Sequence, residues 1–389
     1  MSRRTRRTRW AFLRCDDRLL LDLGALLAGR ARLDAEPCLR AFSILTGEEH
    51  ELGRDELELL LRLPAEGWQE CDEPLLDGLL LKGLAVLEGT PEARRDEQLA
   101  AAQWNLFGAL FHARGRWSGV DVGLGVPDRV EAELVSAATL EWVERHGRPP
   151  THFPSAAGSL STHELPLTER EPDGELFAAL GGRRTARRFD RSRRMREDEL
   201  ALLLRTVYGA QGIATIAGDV AGIRRTSPSG GGLHPIEAYP LVLDVEGVQP
   251  GLHHYHAGRH ALELLEPLSE EDARELAVHF VCGQGYFRDA SLLVVLVARF
   301  ARSFWKYRRH EKAYAVTLMD AGHLSQTFYL VCGALGLGAF VTAAVNNADI
   351  DERLGLDGFG EGSLAISGCG APAEHGSGLE PEFVPYRPR

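Results

Sequence analysis

Between Glu175 and about Pro372, helical and strand-like periods interleave without a regular βαβ alternation, which restricts the fold more than any other feature of the chain. Helical stretches include REDELALLLRTVYGAQG (196–212) and VTLMDAGHLSQTFYLVCGALG (316–336). Strand-like runs include EAYPLVLDV (237–245), ASLLVVLVARF (290–300) and SLAISGCG (363–370). A doubly wound parallel sheet requires strand and helix to alternate strictly, so this region reads as α+β. It carries no internal repeat.

With 389 residues, 44% of them hydrophobic, the chain can bury sizeable cores in two or three domains. Over 1–95, RDELELLLRLP (54–64), a helix from about Asp72 to Lys82 and the short strand LAVLE (84–88) give the helix, turn, helix, strand outline of a winged helix. Charge excludes DNA as its partner: Glu48 to Glu97 holds 15 acidic and five basic residues, and the whole chain carries −12. A peptide-docking or structural role fits 1–95 better. The basic run Arg3–Arg9 reads as a solvated tail or an edge strand. Two helices, 97–115 and 128–147, and a Pro/Ser/Thr-rich linker, 148–174, make 96–174 a connector to a domain spanning 175–389.

Arg14, Asp16, Asp17, Arg18 and Asp22 interrupt the stretch after the basic N-terminus, so it has no signal-like apolar core. No run approaches the roughly 18 apolar residues of a membrane span. Six cysteines without a CxxC or a zinc-ligand spacing fit reduced thiols and no metal site. A cytoplasmic protein is expected, with neither nucleic acid nor membrane as partner.

Three stretches can carry chemistry. GGRRTARRFD (181–190) gathers Arg183, Arg184, Thr185, Arg187 and Arg188, whose forked donors and hydroxyl suit a phosphate monoester. RRTSPSGGGLHPIEAYPLVL (224–243) is a small-residue loop feeding a strand. Its consecutive glycines allow close backbone approach to a flat ligand, and it is neither a Walker A loop nor a GxGxxG turn. FWKYRRHEKAY (304–314) holds two of only three lysines in a chain otherwise supplied with arginine. His323, inside the 316–336 helix, reads as structural.

Taken in order, RRTARRFD, SPSGGGLHPIEAYPLV, the hairpin-like GLHHYHAGRHALELL (251–265), FWKYRRHEKAY and AGHLSQTFYLVCGALGLGAF resemble the flavin-dependent nitroreductase superfamily. The LHP loop and Lys306–Tyr307 resemble its SagB/McbC-type branch, azoline dehydrogenases of ribosomally made peptides. The resemblance implies an α+β, nitroreductase-like FMN-binding fold, a central mixed sheet flanked by helices, beside the smaller winged-helix-like N-terminal domain. It implies that Arg183, Arg184, Thr185 and Arg187 bind the FMN phosphate and ribityl chain, and that Pro228, Ser229 and Gly230 line the isoalloxazine. Ala343 and Ala344 fall where the family presents backbone N–H groups to the flavin; the Glu–Gly pair of many plain nitroreductases is missing there. It further implies a homodimer built on the 316–336 helix, a precursor peptide as substrate and a YcaO-type cyclodehydratase as partner. An NAD(P)H-dependent nitro or flavin reductase and a flavin-less scaffold subunit are the alternative readings.

Oxidising an azoline ring to an azole removes a hydride and a proton. A lysine or a tyrosine can take the proton, whereas arginine stays protonated. Lys306 and Tyr307 are therefore the candidate bases. Adjacent side chains diverge on both helix and strand, so both can reach one substrate only if the chain turns there.

Overall fold

The computed structural model describes residues 3–21, 33–122, 174–217 and 220–373, with a few positions between 140 and 163. The N-terminal part runs β1 (Arg3–Arg7), β2 (Ala11–Leu21), β3 (Leu33–Ser43), β4 (Glu49–Leu52), α1 (Arg54–Arg62), β5 (Gln69–Cys71), α2 (Leu76–Leu81), β6 (Ala85–Leu87), α3 (Pro91–Ala101) and α4 (Leu106–Gly115). Strands β5, β1 and β6 form one three-stranded antiparallel sheet, and β2, β3 and β4 form another. The helix, turn, helix, strand order expected over 54–88 is present, with β5 added between the helices. The second helix starts at Leu76 rather than near Asp72, because Pro74 disfavours helical backbone in the residue before it.

Two expectations are corrected here. The basic run is not a tail or an edge: β1 is the central strand of its sheet, and Arg6 is buried. Asp96 on α3, fully buried, lies 2.5 Å from the Arg6 guanidinium and also accepts from the Thr8 hydroxyl and from Arg9. An interior arginine needs such a counter-charge. The single helix expected over 97–115 is two helices. Gln103, at φ 62, ends α3, and the Asn105 side chain caps α4 by accepting from the Phe107 and Gly108 N–H groups. Buried Trp104 sits between them, its indole N–H donating to the Phe359 carbonyl at 2.9 Å. The 128–147 helix is described only at 140–141 and 143–147, helical through 146, and nearly all of the 148–174 linker lies outside the described residues.

The chain continues with α5 (Glu175–Gly182), α6 (Glu197–Tyr208), β7 (Gly212–Ala217), β8 (Val220–Arg224), β9 (Ile236–Val242), β10 (Gly251–His256), β11 (Ala261–Pro267), α7 (Glu270–Phe280), β12 (Leu292–Arg299), α8 (Phe300–Tyr307), α9 (Ala313–Ala334), β13 (Gly338–Thr342), α10 (Asn347–Leu354) and β14 (Glu361–Gly370). A six-stranded sheet has the order β11-β10-β9-β12-β14-β13. Its ladders are antiparallel; parallel pairing enters through isolated bridges, Thr185 to Ala339 and Met195 to Val245.

Strand β12 lies at the centre and is buried on both faces. Alternation sends Val294, Leu296 and Ala298 into a core shared with α6, α9 and Trp104. Leu293, Val295 and Val297 enter a second core with α7, α10, Phe340 and Ile366. Helices thus cover the sheet on both sides. All six cysteines are free thiols. Among the described residues no helix is long and apolar enough to cross a membrane, and no group of His, Cys, Asp and Glu side chains could hold a metal ion.

Candidate flavin and proton-transfer site

Helix α5 ends at Gly182, and the arginine-rich segment turns extended at Arg183. It is pinned to the sheet edge where Thr185 bridges Ala339 and the Ala186 N–H donates to the Ala339 carbonyl at 2.8 Å. This anchoring collects Arg183, Arg184, Arg187 and Arg188 around a cavity of about 320 Å³, closed on its other side by Tyr329, Gly333 and the Gly336–Gly338 turn. Four arginines on one cavity form a donor set suited to a phosphate. The Thr185 hydroxyl differs from expectation in being shared with the Tyr329 hydroxyl at 3.0 Å, which in turn accepts from the Val341 N–H at 3.1 Å. Arg183 lies over the Tyr329 ring, 5.3 Å from its centre.

Arg187 also reaches Tyr286. Burial raises the pKa of that phenol and Arg187 opposes the rise. The Tyr286 hydroxyl donates to Gln284 at 2.8 Å, and the Gln284 amide donates to the Ala344 carbonyl at 3.1 Å. The Ala344 N–H is directed to the Thr342 hydroxyl at 3.2 Å, and Ala343 is exposed at the tip of the turn. A polar chain therefore joins the phosphate-type arginines to the 343–344 turn.

The glycine loop is held from beneath by α9. Ser227 shares a 2.6 Å hydrogen bond with Thr327. Asp320, 3% exposed, accepts from the Ser229 hydroxyl at 2.5 Å and from the Gly230 N–H at 3.0 Å, and the His234 N–H donates to the same serine oxygen. Pro228 and Ser229, with Arg225, His234 and Asp320, line a water-sized cavity of about 10 Å³. A side chain at position 230 would collide with Val316 at 2.0 Å, so only glycine lets the loop lie this close to the helix.

Lys306 and Tyr307 end α8, and Arg308 at φ 45 turns the chain away. Both polar tips converge on Gly231. A Cβ there would stand 2.8 Å from Lys306 Nζ and 3.0 Å from Tyr307 Oη. Lys306 is exposed and Tyr307 partly buried. No turn separates the two, contrary to expectation: both lie in the last turn of α8, and the length of their side chains brings both tips to Gly231.

The sequence-derived residues thus fall into two groups. Lys306 and Tyr307 meet the glycine loop, while the arginines meet the 343–344 turn. Helix α9 ties them together, because Asp320 and Tyr329 are nine residues, about 14 Å, apart on it. Sequence reasoning missed Asp320, Gln284, Tyr286 and Tyr329. Asp320 alone left a trace, as an acid within an apolar helix. His323 contributes no hydrogen bond through Nδ1, which sits 4.0 Å from Asp320.

Comparison with known proteins accords with this architecture. Residues 180–370 match the model of the nitroreductase family. Trifolitoxin-processing protein TfxB of Rhizobium leguminosarum bv. trifolii is 28% identical over 246 residues, 61% of this chain and 64% of that protein, so the chain spans a little under two thirds of that relative. A chain of the E. coli microcin synthetase McbBCD complex with truncated pro-MccB17 bound superposes with a TM-score of 0.51 at 21% identity, covering 72% of this chain and 94% of the other; the two share a fold. A putative nitroreductase of Methanocaldococcus jannaschii is 31% identical over 156 residues, 40% of this chain and 72% of the relative. With its arginine-lined cavity, its braced glycine loop and these matches, the chain belongs to the nitroreductase family.

Proposed function

We propose that the protein is an FMN-dependent dehydrogenase of a ribosomally made precursor peptide, oxidising azoline rings to azoles. The convergence of Lys306 Nζ and Tyr307 Oη on Gly231 carries this reading, because it sets two proton-accepting groups against a loop that a flat ligand can approach. The residues present fit FMN: Arg183, Arg184, Arg187 and Arg188 suit its phosphate, and the glycine run after Pro228 and Ser229, beginning at Gly230, leaves backbone that a flat ring system can approach closely. FMN when bound supplies the hydride acceptor. The ring proton passes to Lys306 or Tyr307, and the electron pair of the broken C–H bond becomes the new ring double bond. Asp320 keeps the loop in place by holding Ser229 and Gly230.

A peptide substrate is supported by the name of the trifolitoxin-processing relative. The 1–95 region, with its two small sheets, is proposed to dock the peptide or a YcaO-type cyclodehydratase. A homodimer that packs α9 against α9 is proposed as the working form.

The test replaces Lys306 by Met and Tyr307 by Phe in FMN-loaded protein. Turnover of an azoline peptide is expected to fall in at least one variant while flavin content stays constant. Full turnover in both would remove these residues from the mechanism. Rapid flavin bleaching by NAD(P)H together with no bleaching by the peptide would favour a small-molecule reductase instead.

A further inference from the structure

Beside the glycine loop lies another cavity, of about 410 Å³, bounded by the β7–β8 hairpin, by β9 and β10, and by the junction of β12 with α8. None of the arginines assigned to the flavin phosphate lines it. Its charges do not close internally. Arg299 is paired with Glu361 at 3.0 Å and with Glu237 at 3.5 Å. His254 stands between Glu237 at 3.9 Å and Glu263 at 2.7 Å. Those contacts occupy the acids around the cavity. Arg225 and Arg302 line it as well, and among the described residues neither has a carboxylate within 4.0 Å.

Arg225 is 7% exposed and donates once, to the Ile236 carbonyl at 2.9 Å, while its Nε has no partner. Burial lowers its pKa, Glu237 opposes this from beyond ion-pair distance, and Arg302 adds to the lowering. A guanidinium withdrawn from water beside a second one is costly without an anion. Arg302 spends its Nε on the Leu233 carbonyl, which leaves its terminal nitrogens for a ligand.

Position ties the cavity to the reaction. Arg302 and Lys306 are four residues apart on α8, hence on one face and separated by about 6 Å along the axis. Leu233 and His234 follow directly on the glycines that Lys306 and Tyr307 approach, and His234 lines the cavity. An extended peptide with its reacting ring at Gly231 would lay a neighbouring residue here.

We propose that Arg225 and Arg302 bind a carboxylate of the peptide substrate close to the oxidised residue, so that this cavity selects acidic sequence beside the ring. The inference rests on the peptide-oxidation reading, since carboxylates are the only anions of an unmodified peptide. They come either from an Asp or Glu side chain or from the chain terminus.

The test uses the full chain loaded with FMN and fluorescently labelled azoline peptides, with binding read by anisotropy and turnover by mass spectrometry. One peptide pair carries Glu or Gln beside the ring with an amidated C-terminus; a second pair has a free or an amidated C-terminus. In the native protein, loss of the recognised carboxylate should weaken binding about tenfold or more, as expected for a charge-assisted contact. That difference should vanish in Arg302→Gln and be partly kept in Arg302→Lys. Arg302 is exposed, so neither variant threatens folding. Because the readout is the ratio within a peptide pair, a general disturbance of the loop does not imitate it. Equal binding within both pairs, or an undiminished ratio in Arg302→Gln, would overturn the proposal. A charge-dependent ratio without oxidation would keep this subsite and sink the dehydrogenase reading.

Discussion

Gly231 and Gly232 are adjacent, both have left-handed backbone at φ 63 and 67, and they differ in what surrounds them. Replacing either by alanine imposes the same backbone penalty, about 1–2 kcal/mol, and hence a fall of a few degrees in melting temperature. At Gly232 the cost stops there, because nothing lies within 4 Å of the new methyl. At Gly231 the methyl would stand 2.8 Å from Lys306 Nζ, 3.0 Å from Lys306 Cδ and 3.0 Å from Tyr307 Oη. The lysine chain is flexible and can yield, so each displaced rotamer adds only about 0.5–1.5 kcal/mol. The positions of the two polar tips cannot survive that displacement. Misplacing a reacting group by about 1 Å costs on the order of 100-fold in rate. The expected result is a pair of variants with similar melting curves and very different turnover. Gly232→Ala should stay near the native rate of azoline oxidation, and Gly231→Ala should lose on the order of 100-fold. Flavin content, measured spectrally on each preparation, separates a proton-transfer defect from a lost cofactor. Equal turnover in the two variants would refute the idea that Lys306 and Tyr307 act at Gly231.

Arg187→Ala should weaken FMN binding about 10- to 100-fold, as expected when a charge-assisted contact is lost, and leave riboflavin binding unchanged because riboflavin has no phosphate. Equilibrium dialysis with both flavins checks this, and parallel losses would argue against a phosphate role. His254 is flanked by two carboxylates that raise its pKa. Glu237 contributes most, since it acts through drier surroundings than Glu263 although Glu263 is closer. A histidine whose pKa is raised on folding adds stability fully present below its unfolded value of about 6.5 and lost as pH rises through the raised value. The native chain should therefore exceed His254→Gln in denaturant stability at acid pH, with the difference shrinking toward alkaline pH. A difference that grows with pH would contradict the flanking-carboxylate account.

How legible each part was in the sequence depends on how local its cause is. Strand β12 and helix α9 were readable because an unbroken apolar run and a long apolar helix state their own burial. The β10–β11 hairpin was readable from its sequence resemblance. The break between α3 and α4 was encoded, but the signal was the single capping residue Asn105 set against apolar residues on both sides. The central place of β1 was not readable, because it depends on Asp96 arriving from 90 residues downstream to neutralise Arg6. The same distinction runs through the candidate site. The residue types for gripping a phosphate or accepting a proton were visible, while their partners were not. Thr185 turned out to share its hydroxyl with Tyr329, and joint access by Lys306 and Tyr307 came from two long side chains reaching Gly231 from adjacent helical positions.

Helix α9 explains why distant motifs belong to one apparatus. Asp320 holds the glycine loop, Thr327 holds Ser227 at the start of that loop, and Tyr329 holds both Thr185 and the β13 edge. These side chains must leave the helix toward two different surfaces while Leu324, Phe328 and Cys332 stay in the core. A one-residue register shift would turn the helix by about 100° and release every one of these contacts together. The spacing of Asp320, Thr327 and Tyr329 is therefore fixed by the loop and the arginine segment jointly. This rigidity suits the proposed placing of a proton acceptor against a ring, because neither the loop nor the arginine segment has a regular ladder of its own to hold it.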